Sequence, residues 1–175
     1  MRRITLTALF ALSGCAGLPE GIEPVEDFEL EPYLLTWYEI ARLDHRFERG
    51  LTNVTANYSL REDGGVKVLN RGYQEKKGEW DEAEGKAYFV GESDTGQLKV
   101  SFFGPFYGAY NVFELGENYE YSMVAGPNRS YLWILAREST LPQSTLDELL
   151  SKAEAAGFDT SELIFVEHNR DQKEH

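Results

Sequence analysis

Between Thr36 and Arg137 apolar side chains recur at every second position, in short runs broken by glycine and proline turns. A period of two is the signature of half-buried strands, and it constrains this chain more than any other feature. Val54, Ala56, Tyr58 and Leu60 alternate with Thr55, Asn57, Ser59 and Arg61. Asp63-Gly64-Gly65 then reads as a tight hairpin turn, and Val66, Val68, Asn70 and Gly72 return along one face of the next strand. Further strands are expected at 80–90, 97–103, 109–115, 119–125 and 131–137, punctuated by Gly91, Gly96, Gly104-Pro105, Gly116 and Gly126-Pro127. With a first strand at 36–43, eight strands follow one another closely enough to form a meander. The expected fold class is all-β: an eight-stranded antiparallel up-and-down β-barrel with one C-terminal α-helix packed outside. A two-sheet sandwich is the competing arrangement. The helix has Pro142 in its first turn, an apolar stripe of Leu146, Leu149, Leu150 and Ala153, and Gly157 at its end. Leu163 to Val166 reads as a last short strand.

The first residues stand apart from the fold. Met1-Arg2-Arg3 is basic, Ile4 to Leu12 is apolar but too short to span a bilayer, and Leu12-Ser13-Gly14-Cys15 follows. This pattern resembles the bacterial lipoprotein lipobox, in which the cysteine becomes an N-acylated, S-diacylglyceryl terminus. Residues 1–14 are then the signal peptide and 15–27 the lipidated N-terminus and a flexible tether. Cys15 is the only cysteine, so the processed chain has no pair for an internal disulfide. Loss of Arg2 and Arg3 takes the net charge from −13 to −15. A surface of that sign argues against a nucleic-acid partner. Ala16 after the cysteine, by resemblance to enteric sorting patterns, implies the outer membrane, with the domain facing the periplasm.

Three segments carry a family resemblance. Thr36-Trp37-Tyr38-Glu39-Ile40-Ala41-Arg42, Phe102-Phe103-Gly104-Pro105-Phe106-Tyr107-Gly108 and Tyr131-Leu132-Trp133-Ile134-Leu135-Ala136-Arg137 resemble the bacterial lipocalins, outer membrane lipoproteins of the lipocalin family. The similarity spans roughly residues 25–168. The domain is taken as 28–168 and the polar tail, expected to fray, as 169–175. The resemblance implies a barrel closed at one end by Arg137 lying across Trp37. Leu35 stands where the family's Gly-x-Trp motif has glycine. Gly116-Glu117-Asn118-Tyr119 keeps the second motif loosely. The resemblance also implies a bound fatty acid or lysophospholipid, stored or transported for membrane maintenance. A structural or protein-interaction lipoprotein with an empty barrel is the alternative.

No catalytic constellation is present, so the chain is expected not to be an enzyme. His45, His168 and His175 are scattered, and neither a metal site nor a cofactor is expected. The strand period nominates Val54, Ala56, Tyr58, Val68, Asn70, Ala87, Phe89, Val100, Phe102, Tyr110, Val112 and Trp133 as inward-facing. All but Ala87 are candidate ligand contacts. A solid core is the competing use of these residues. Alternating strands bring loops 44–51, 74–79, 104–108 and 126–130 to one open end. Arg46, Arg49, Lys76, Lys77 and Arg129 there form a candidate head-group rim, against the alternative that each pairs with a neighbouring acid. Phe47, Phe106 and Tyr107 add apolar bulk to the same rim. A homodimer is compatible with the sequence, which carries no signal for one.

Overall fold

The computed structural model describes residues 17–172. The signal segment and the lipidation candidate Cys15 lie outside them. Eight antiparallel strands run up and down in order: β1 (Leu35–Leu43), β2 (Leu51–Leu60), β3 (Val66–Gln74), β4 (Glu79–Phe89), β5 (Gln97–Ser101), β6 (Gly108–Leu115), β7 (Tyr121–Ala125) and β8 (Leu132–Ala136). Each pairs with the next, and β8 pairs with β1, closing the barrel and leaving no open edge between first and last strands. The sandwich alternative is excluded by that closure.

β1 is shared in an unusual way. Its first half, Leu35–Tyr38, pairs with Tyr58–Thr55 of β2. Its second half, Ala41–Leu43, pairs instead with a ninth strand, β9 (Leu163–Phe165). The register on the β8 side slips between Glu39 and Ala41, a β-bulge at Ile40. One extra residue reverses the side-chain parity of the rest of the strand. Trp37 and Glu39 therefore face the interior on one side of the bulge, and Arg42 faces it on the other.

Helix α2 (Gln143–Ala155) lies against the outside wall, with Pro142 as its N-cap residue and Gly157 at φ +86° just past its end. Leu149 and Ala153 are fully buried against Met123, Ile134 and Ala136, the outward residues of β7 and β8. Leu146 and Leu150 complete that face. The opposite parity of the same strands, Val124 and Leu135, faces into the barrel.

Two expectations about the termini are corrected. The segment before β1 is not a flexible tether from Gly17 onward. Ile22 is buried in the helix-side core, and Val25 is wedged between strands, its N–H donating to Val112 and its carbonyl accepting from Gly96. Phe28 and the one-turn helix α1 (Leu30–Tyr33) plug the closed end. The tail is likewise tied down as far as Gln172. Asn53 Oδ1 accepts from the backbone N–H groups of Asn169 and Arg170, its carbonyl accepts from Gln172, and its N–H donates to Glu167. Where β2 parts from β1, its backbone polar groups would otherwise lack partners, and the tail supplies them.

Candidate ligand cavity

The barrel encloses a cavity of about 580 Å³, within the range of ordinary ligand pockets. A solid core is thereby excluded. Nine of the eleven candidate ligand contacts line it: Val54, Ala56, Tyr58, Val68, Asn70, Val100, Phe102, Tyr110 and Trp133. Phe89 and Val112 do not. They sit nearer the closed end, where the N-terminal segment fills the space, Phe89 against Phe28 at 6.0 Å and Val112 beside Val25. Leu135 shares the parity of Trp133 and also lines the cavity.

The closed end is built on backbone acceptors. Arg137 Cζ lies 3.8 Å from the centroid of the Trp37 ring. Its Nη1 donates to the carbonyls of Leu34 and Thr36 at 2.9 Å each, and Nη2 reaches that of Pro32. Trp37 Nε1 donates to the Tyr33 carbonyl at 2.8 Å. Leu35, exposed to solvent, holds φ +71°, the left-handed conformation that glycine adopts without strain. A leucine thus stands at the motif's glycine position in a backbone conformation that favours glycine.

Above this plug a chain of phenols crosses the cavity floor. Tyr110 lies within hydrogen-bond distance of Tyr33 (2.8 Å) and Tyr58 (2.9 Å), and Tyr33 also reaches Ser122 at 3.0 Å. Burial pushes the Tyr33 phenol up to about 12, with bonds to Ser122 and Tyr110 working the other way. Burial also raises Tyr58 and Tyr110 well above the usual phenol range. The floor is polar enough to be hydrogen-bonded and stays uncharged.

The mouth is different. Glu39, Arg42, His45 and Glu48, spaced three apart in the chain, come together under the β1–β2 loop. Arg42 Nη1 contacts Glu39 Oε1 at 2.6 Å, and its Nη2 donates to the carbonyls of Glu48 (2.8 Å) and Leu51 (3.2 Å). Glu48 Oε2 sits 2.8 Å from His45 Nε2 and accepts from Trp133 Nε1 at 3.0 Å. Burial, and then the charge of Glu48, hold the Glu39 carboxyl well above its ordinary value, against the pull of Arg42. Burial would raise Glu48 too, but bonds from His45 and Trp133 and the charge of Arg42 outweigh it and bring it below its ordinary value. Glu39, His45 and Glu48 all line the cavity.

None of these four was nominated as a ligand contact. The bulge at Ile40 hides Glu39 and Arg42 from any strict period of two. His45, read as a loop residue, is buried because its loop folds back over the mouth. The triplet spacing was the available signal. Tyr33 was missed because the segment carrying it shows no strand period.

The candidate rim needs correction. All its loops do lie at the open end, but only Arg46 borders the cavity. Arg49 is engaged with Asp44 at 2.7 Å, and Lys77 lies 3.6 Å from both Glu79 and Asp81. Arg129 turns outward to the carbonyls of Ala156, past the end of α2, and Glu20. Lys76 is exposed and away from the cavity. Short local partners win because an exposed arginine is held more cheaply by an acid or carbonyl in its own loop than across an open mouth. Among the described residues no group of acids and histidines has the geometry of a metal site.

The lipocalin-like domain model matches residues 28–168. The outer membrane lipoprotein Blc of Vibrio cholerae is 61% identical over 157 residues, covering 89% of this chain and 92% of the relative. The protein of the same name from Escherichia coli K12 is 52% identical over 163 residues, covering 92% of each. Temperature-induced lipocalin-1 of Arabidopsis thaliana is 34% identical over 151 residues, covering 81% of this chain and 80% of the relative. Among solved structures, insecticyanin from the tobacco hornworm superposes with a TM-score of 0.69 at 20% identity, covering 86% of each chain.

Proposed function

The chain belongs to the lipocalin family, and from that premise we propose that it stores or transports a single-chain lipid, a fatty acid or lysophospholipid, for maintenance of the outer membrane. Its relatives at 50–61% identity are named outer membrane lipoproteins, and this chain shares that localisation. The family and those names indicate a binding protein rather than an enzyme. The lipobox pattern supports Cys15 as the acylated terminus, with residues 1–14 removed.

The observation that carries the ligand reading is the distribution of polarity along one cavity. The walls are aliphatic and aromatic, and the floor is uncharged. The ionic groups cluster at the mouth, where Arg46 borders the opening. An acyl chain gains about 0.8 kcal/mol per buried methylene in such walls. Asn70 Oδ1 and His45 Nδ1 are buried with no protein hydrogen-bond partner, and they offer polar contacts to a ligand along the wall and at the mouth.

Native mass spectrometry of protein extracted from a bacterial membrane fraction tests this. A co-purifying single-chain lipid supports the reading. A barrel that arrives empty and takes up no fatty-acid probe contradicts it and favours a structural envelope role.

A further inference from the structure

The route of the N-terminal segment fixes where an anchor at Cys15 would leave the domain. Gly17 packs against Ala109 and Pro127, both of which line the cavity at its open end, and its carbonyl accepts from Asn111. A Cβ on Gly17 would stand 3.0 Å from that of Ala109. From there the chain descends past Val25 to Phe28 at the closed end. Cys15 is two residues before Gly17 in the sequence, and two residues of chain reach at most about 7 Å.

The same end carries an apolar rim. Phe103 and Phe106 are 71% and 79% exposed, and Phe47 is 60% exposed, yet all three border the cavity, as does Tyr107. Large aromatics exposed together in that way mark an interaction surface. The charge of the two ends differs as well. The closed-end turns carry Glu62, Asp63, Glu92, Asp94, Glu117 and Glu120 against Arg61 and Arg137. The mouth loops carry acids and bases in near balance, and among the described residues Arg46 and Lys76 stand outside the ion pairs. An acidic face is repelled by anionic lipid, and an aromatic face with spare cations is not.

We infer that the barrel docks mouth-down on the bilayer that holds its anchor, with Phe47, Phe103, Phe106 and Tyr107 seated in the headgroup region. The occupant of this surface is the lipid bilayer itself. The inference rests on the reading of Cys15 as acylated, and it adds a consequence to the proposed function. A chain can pass between bilayer and cavity through the aromatic rim without crossing water.

The test uses the acylated protein bound to vesicles of phosphatidylethanolamine and phosphatidylglycerol. The thiol of Cys15 is blocked by acylation, so a cysteine introduced as Phe106→Cys or Leu60→Cys takes a nitroxide label uniquely. Leu60 ends β2 at the closed end and is itself exposed, so neither change disturbs the core. The expected result is loss of collision with a water-soluble nickel chelate at position 106, with oxygen access retained. Position 60 stays open to nickel. Equal nickel access at the two positions, or shielding at position 60, overturns the orientation while leaving the anchor intact. Failure of the unlabelled protein to float with vesicles, with no acyl mass on Cys15, removes the anchor and the orientation together and leaves the cavity reading standing.

Discussion

The two ends of the barrel solve the burial of charge in opposite ways. At the closed end Arg137 lies over an indole and spends its protons on backbone carbonyls, which do not titrate. At the mouth Arg42 is buried against Glu39, which competes electrostatically with Glu48, which is in turn held by His45 and Trp133. The first arrangement is indifferent to pH over the range proteins meet. The second is a chain of coupled ionisable groups, and a buried charge left without its partner is costly. The cavity lies between an inert floor and a responsive mouth.

Removing Arg42 should break this contrast most severely. Arg42→Ala strands Glu39 and should cost about 3–5 kcal/mol at neutral pH, read by urea denaturation. The sign of its pH dependence follows from the raised Glu39 value. The folded protein holds that proton to higher pH than the unfolded chain does. Protonation therefore favours the fold fully below the ordinary glutamate value of 4.5, and that contribution fades as pH rises through the raised one. Without Arg42 the Glu39 value rises further, so the deficit should shrink on acidification. A deficit equal at pH 5 and pH 8 would show that Glu39 is not the stranded group.

Arg137→Ala should cost about 2–3 kcal/mol, from the lost indole contact and the unpaired carbonyls. Here the loss should be flat with pH, and fatty-acid affinity should change little because the floor above remains. A steep pH profile would erase the distinction between the ends.

Tyr110→Phe sharpens the comparison at the floor. It removes the phenol shared by Tyr33 and Tyr58 and should cost about 1–2 kcal/mol, again independent of pH below 9, since all three phenols stay neutral there. The smallest effect is a gain. Leu35→Gly relieves a left-handed leucine and should stabilise the barrel by up to about 1 kcal/mol in the same assay. A loss instead would mean that the leucine side chain makes a contact worth more than the strain.

The closed end was the more legible of the two in the sequence. Trp37 and Arg137 sit in family motifs, and most of the strand residues between them keep a period of two, so barrel, helix and most wall residues followed from period and resemblance. The mouth was legible only in outline. Counting strands placed the right loops together, but partner choice within a loop depends on angles that no period encodes. Arg129 turns to the end of α2, and Arg49 turns to Asp44. The bulge at Ile40 is a one-residue event with no compositional mark, yet it puts Arg42 inside. The N-terminal segment misled for a different reason. Its prolines, glycines and acids have the composition of a linker, and its order comes from slots in the barrel that exist only once the strands have closed.

The central claim is that an acyl chain lies in this cavity with its polar end at the mouth, beside Trp133. Trp133 is the tryptophan that lines the cavity, whereas Trp37 is buried beneath it. Stearic acids brominated near the carboxyl or near the methyl terminus place a fluorescence quencher at one end of the chain or the other. The account predicts strong quenching from the carboxyl-end bromines, abolished in Trp133→Phe. Stronger quenching of Trp133 by the methyl-end bromines, or none from either at saturating ligand, would contradict it.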